Sequence, residues 1–169
     1  MSDPETDLYD QFAASAREYG VELTRVAPSD VTETVADLVE PPAVGAPLPW
    51  DDVVLPEAVP TDPTPADLDA AVTGVTGAAF AVADYGSVVL EATPEGSEPV
   101  SLFADRHVVV LREQDIVADM GATFDRLADR IGETRSSAIL ATGPSATADM
   151  GELVQGAHGP EEVHGVVVT

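Results

Sequence analysis

Apolar positions along the chain switch between helical and strand spacing. Leu8, Phe12 and Tyr19 sit at helical intervals over about Thr6 to Glu18, and Gly20 ends that segment. Val21 to Val26 alternates as a strand does, and Ser29 is placed to cap a helix running to Val39 with Val31, Val35 and Leu38 on one face. Pro41 and Pro42 stop it, and Glu40 to Pro65 holds eight of the chain's 14 prolines. That density breaks regular structure, so the segment reads as a connector anchored on the core by Trp50 and Val53 to Leu55. Pro65 to Val72 reads as a short helix with a proline at its start. Ala79 to Ala83 and Ser87 to Glu91 read as strands around the turn Asp84-Tyr85-Gly86, and Pro94 to Pro99 reads as a loop. His107 to Leu111 is a near-continuous apolar run suited to a strand buried on both faces. Asp119 to Ile131 places Met120, Phe124, Leu127, Ala128 and Ile131 three and four apart, as an amphipathic helix does. Ala138 to Ala141 and Val163 to Val168 are the last two predicted strands.

Strands alternating with helices predict a single α/β domain with a mixed, mostly parallel sheet flanked by helices. Residues 1–66 are expected to pack as helix, strand, helix and connector on a core formed by residues 67–169. The strands at Ile139 to Leu140 and Val163 to Val168 are expected in one sheet, which would bring the polar tract between them, with Gly74 to Gly77, to one concave surface.

Charge changes the picture next. The chain of 169 residues carries 31 acidic and 7 basic side chains, a net charge of −24. Acids occur throughout, so no tail accounts for them. Like charge opposes compaction in dilute buffer, and at about 1 M salt the screening length falls to roughly 3 Å. The composition therefore suits a salt-rich, halophilic cytoplasm. Without a basic stripe to neutralise phosphates, nucleic-acid binding is not expected. The cysteine count is zero, which removes disulfides, thiol nucleophiles and Cys-ligated iron-sulfur clusters from this chain's own chemistry. No apolar run approaches the ~18 residues of a membrane span, and the acidic first residues do not form a signal peptide, so a cytoplasmic location is expected.

Candidate chemistry concentrates in the polar tract between the last two strands. In Thr142 to Asp149, Gly143, Ser145, Thr147 and nearby backbone N–H groups can cradle a phosphate or carboxylate, especially if a helix starts there, or can form a tight turn with Ser145 as a cap. The glycine spacing and the missing lysine exclude a Walker loop and a dinucleotide fingerprint. Next, His158 lies in Gly156 to Pro160 beside Gly159, where a histidine can act as general acid, base or anion ligand, or simply support the turn. His164 opens the final strand as a site residue or as an ordinary edge residue. Gly74, Thr76 and Gly77 allow close backbone approach to a ligand or tight packing of a strand. Arg106 and His107 can meet an anion, or Arg106 can be a surface counter-charge. Histidines and carboxylates do not form a dense cluster, so no metal site is expected.

Three stretches, GVTGAAFAVADYGSVVL, SLFADRHVVVL and ILATGPSATADMGELVQGAHGPEEVHGVVV, resemble the LUD domain, the family of the LutC subunit of lactate utilization systems. The resemblance covers about Asp67 to Thr169. It implies a fold like those of NagB, RpiA and CoA transferases, and a part in oxidising L-lactate to pyruvate beside iron-sulfur partner subunits. A small anionic ligand is implied, the cofactor stays unassigned, and a homodimer is left open. The family pattern covers Gly74, Thr76, Gly77, Gly86, Thr142 to Ser145, Thr147 to Asp149, Gly156, His158 to Pro160, Glu162 and His164. The chain departs from that pattern at Ala146, where the family commonly has arginine, and at Asp84-Tyr85, where it has Glu-Thr. Both an independent small-molecule enzyme of the same fold and a scaffold subunit are alternatives that the residues leave open.

Overall fold

A computed structural model of the chain describes residues 7–134, 136–149, 152–155 and 159–169. Helix α1 (Leu8–Glu18) starts where the Asp7 carboxylate accepts from the Tyr9 N–H and leads to β1 (Glu22–Val26). Helix α2 (Val31–Leu38) buries Val31 and Val35, one turn apart, and β2 (Ala43–Gly45) follows it. The proline-rich segment passes over the core to α3 (Pro65–Ala70), where Thr64 and Asp67 cap each other reciprocally. Next come β3 (Thr73–Gly77), β4 (Phe80–Val82), β5 (Ser87–Glu91), α4 (Ser97–Phe103) and β6 (Arg106–Arg112). The chain continues through β7 (Ile116–Val117), α5 (Met120–Thr134), β8 (Ala138–Ala141), β9 (Ala146–Asp149), β10 (Glu152–Gln155) and β11 (Glu162–Val168).

Five of these strands form an all-parallel sheet in the order β1-β11-β6-β3-β2. Its middle strand, β6, is the apolar run of the sequence, and Val108, Val109, Val110 and Leu111 are all buried. Alternation sends Val108 and Val110 to α2 and the connector, where Val53, Val59 and Trp50 pack. Val109 and Leu111 face the other way, toward Phe12 and Ala16 of α1 and toward a second sheet. That sheet, ordered β7-β4-β5-β8, contains the antiparallel β4-β5 hairpin expected around Tyr85. Its outer face packs Phe80, Val82 and Val89 under Leu127 of α5. The single α/β domain with a mostly parallel sheet is therefore present as expected.

Three expectations are corrected. Strands β8 and β11 belong to different sheets: β8 pairs antiparallel with β5, whereas β11 lies between β1 and β6. The chain leaves the parallel sheet after β6 and returns only at β11. Gly74 to Gly77 precedes the strand expected at Ala79 to Ala83 but is itself part of a strand, β3, because its neighbours β2 and β6 supply the ladder that its glycine-rich sequence conceals. Pro94 to Pro99 is not wholly loop, since α4 begins at Ser97 and buries Val100 against Val44, Ala71 and Ala104. Tertiary burial outweighs the turn-forming Pro-Glu-Gly beside it.

Candidate functional site

The tract after β8 holds its shape through contacts that its sequence does not advertise. Thr142 Oγ1 and Ser87 Oγ share a hydrogen bond of 2.5 Å, tying the tract to the start of β5. Gly143 adopts φ +65°, and a Cβ there would lie 2.7 Å from the Tyr19 carbonyl oxygen, so both conformation and space call for glycine. The Ser145 N–H donates to the Pro160 carbonyl (2.8 Å), joining the two ends of the tract just before β11. The segment then enters β9, not a helix, and β9 pairs with β10 as a hairpin. The anion cradle suggested by the sequence thus lacks the helix N-terminus that would strengthen it, and one of its N–H groups is already used.

Between the two sheets, this tract closes a cavity of about 320 Å³. Val88 and Leu90 of β5, Ile139 and Ala141 of β8, and Val163 of β11 supply apolar walls, and α4 contributes Ser101 and Leu102. The cavity lies at the amino ends of the parallel strands, on the opposite side from the usual crevice of open α/β sheets. His107, second in β6, faces it. The ring is 2% exposed, and its Nε2 shares a 2.8 Å hydrogen bond with Thr76 Oγ1 on the neighbouring strand. Burial pushes the imidazole pKa down to about 4, so the ring is neutral at ordinary pH.

A second cavity, of about 460 Å³, shares Pro144 and Val163 with the first and is lined by Glu22, Arg106, Glu161, Glu162 and His164. Arg106 donates to Glu162 Oε2 through Nε (2.8 Å) and to the Leu38 carbonyl through Nη1 (2.9 Å), so its guanidinium is already engaged. His164 Nε2 shares a 2.7 Å hydrogen bond with Thr24 Oγ1, and Nδ1 lies 3.4 Å from the Glu22 carboxylate. Burial lowers the His164 pKa, the Glu22 charge opposes that shift, and Arg106 adds to it. Arg106 and His107 are adjacent in sequence, yet strand alternation sends them to opposite faces and into different cavities.

The sequence-predicted residues therefore separate. Thr142, Gly143, Ser145 and Gly159 line the inter-sheet cavity, and His164 lines its neighbour. Thr76 stands behind His107 as its hydrogen-bond partner. Gly74 packs against α4, where a Cβ would meet the Val100 carbonyl oxygen at 2.2 Å, and Gly77 faces Pro49 and Leu48 of the connector. Neither glycine reaches the tract. Thr147 and Asp149 fall on β9. His158, the expected acid/base, lies outside the described residues. Ser87 is missed by sequence reasoning, and His107, named there only as a possible anion contact, is buried against Thr76. A histidine at the head of a valine run was the available signal, but its partner Thr76 is identifiable only from the β3-β6 register. Among the described residues no group of three or more potential metal ligands occurs, and no helix is long and apolar enough to cross a membrane.

Comparison with known proteins agrees with this architecture. The family model described as the LUD domain matches residues 61–168. A lactate utilization protein C from Deinococcus radiodurans is 32% identical over 96% of this chain and 80% of its own length. A second protein of that name, from an Exiguobacterium species, is 32% identical over 70% of this chain and 51% of its own. The crystal structure of a DUF162 family protein from Deinococcus radiodurans superposes with a TM-score of 0.74, covering 99% of this chain and 100% of that one at 23% identity, a likeness of fold. On the family match and the extent of the first relative's similarity, this chain belongs to the LUD-domain family.

Proposed function

We propose that the chain is a LutC-like component of an L-lactate utilization system, acting with iron-sulfur partner subunits in the oxidation of lactate to pyruvate. The observation that carries this reading is the 32% identity to a lactate utilization protein C over 96% of the chain. Oxidising lactate to pyruvate releases two electrons and two protons. These 169 residues contain no cysteine, so the Cys-ligated clusters that would take those electrons belong to the partner subunits. The inter-sheet cavity is the proposed place for this subunit's small ligand, since it joins Thr142, Ser145 and Gly159 to a buried histidine. Deleting the gene and growing the cells on L-lactate or on pyruvate tests the assignment. Growth should fail on lactate, persist on pyruvate and return with the intact gene. Unimpaired lactate oxidation in the deletion strain would remove the assignment.

A further inference from the structure

We infer that the cavity between the two sheets binds an uncharged, mainly apolar small molecule through a neutral hydrogen-bonding group, and not a carboxylate or phosphate. The inference deepens the ligand part of the proposed function and stands on the cavity's own chemistry.

Three features carry it. Among the described residues lining the cavity, none is an acid, an arginine or a lysine. An anion held against these residues would give up part of its hydration without gaining a counter-charge from any of them. Second, the Ser145 N–H, which could help to replace a cation, is bonded to Pro160, and the tract continues into a strand instead of opening a helix. Third, the polar side chains among the described lining residues are neutral, namely His107, Ser101, Thr142 and Ser145, with the Ser101 hydroxyl also donating to the Glu98 carbonyl and Thr142 Oγ1 sharing a bond with Ser87. They suit a partner such as an amide, a carbonyl or an alcohol, while Val88, Leu90, Ile139 and Val163 cover an apolar body. Arg106, next to His107 in sequence, lines the neighbouring cavity and is held by Glu162. With 31 acids on the chain, the surrounding field also disfavours anions.

Benzamide and benzoate test this directly, because the two match in size and differ by one charge. Calorimetric titration of the purified full chain at pH 7.5 in molar salt should show benzamide binding at least tenfold more tightly than benzoate. Ala141→Leu, which fills the cavity from β8, should weaken benzamide binding at least tenfold. Leu102→Trp, at a position 44% exposed and so of little risk to folding, should obstruct the same space with the same result. Benzoate binding as tightly as benzamide, benzamide binding unmoved by both variants, or neither probe binding would overturn the inference. Lost growth on lactate with neither probe bound would sink the ligand inference alone, whereas tight benzamide binding with unimpaired lactate oxidation would sink only the lactate assignment.

Discussion

The two cavities that share Pro144 and Val163 differ in almost every other respect. The outer one is bordered by three glutamates, an arginine and a histidine, with Arg106 bonded to Glu162 and to the Leu38 carbonyl and His164 to Thr24. The inner one, between the sheets, is walled by valine, leucine and isoleucine and, among the described residues, by one buried imidazole whose Nε2 bonds to a neutral threonine. A chain with a net charge of −24 thus has one cavity in which none of the described lining residues is an acid, an arginine or a lysine. An unpaired charge against apolar walls is costly, and the described residues place an ionic rim and a neutral, largely apolar lining a few residues apart. The two histidines make the contrast sharp, because both have lowered pKa values but only His164 has a carboxylate opposing the shift.

The largest effect should come from removing the glycine that lets α4 form the inner cavity's wall. Gly74→Ala places a Cβ 2.2 Å from the Val100 carbonyl oxygen, and backbone cannot swing away as a flexible side chain can. We expect a loss of about 3 kcal/mol or more by chemical denaturation, at the upper end of overpacking costs. A loss below about 1 kcal/mol would show that α4 shifts freely and that the cavity wall is not fixed.

Next in size is the pH dependence from His107, whose folded-state pKa of about 4 lies below its ordinary 6.5. The unfolded chain therefore binds the proton first. The neutral ring's contribution is fully present above pH 6.5 and is lost as pH falls toward about 4, by up to about 3 kcal/mol. Denaturation of the wild type and of His107→Asn across this window should show the stability difference changing against the wild type as pH falls. A pH-independent difference would mean that the imidazole is not held neutral. Ring titration by NMR should also separate the sites, with His107 remaining neutral to lower pH than His164.

The smallest effect belongs to the ionic rim. Arg106→Gln breaks the contact with Glu162, but both side chains are solvent-accessible, at 31% and 64%. Such a pair contributes about 0–1 kcal/mol, and less in high salt. A loss above about 2 kcal/mol would show that the hydrogen bond to the Leu38 carbonyl, not the ion pair, anchors the end of α2.

Much of the fold is legible from local pattern. The run at Val108 to Leu111, the valine spacing of α2, the β4-β5 turn and the periodicity of α5 are each set by short-range alternation of apolar and polar residues. Such patterns fix which element forms but not what it meets or buries: on the apolar face of α5, Phe124 is 63% exposed and Ile131 39%. Strand β3 shows the limit: Thr73 to Gly77 carries two glycines, and only its place between β2 and β6 makes it a strand. The candidate site was legible in part. Thr142, Ser145 and Gly159 are identifiable as a polar tract, and they do converge. By contrast, Gly74 and Gly77 look like the same kind of segment, yet they serve the approach of α4 and the connector.

What the sequence by itself determined is the inventory: an acidic chain without cysteine, an α/β alternation of elements, a valine-rich central strand and a polar tract before the last strand. Each is a matter of residue type and near-neighbour spacing. Only the tertiary structure decided that β8 and β11 lie in different sheets, that Arg106 and His107 serve different cavities, and that the tract runs into a hairpin instead of a helix. The reason is common to all three. Sheet membership and register arise from pairing between residues far apart in the chain, and those pairings set which side chains face a closed space and whether any charge accompanies them.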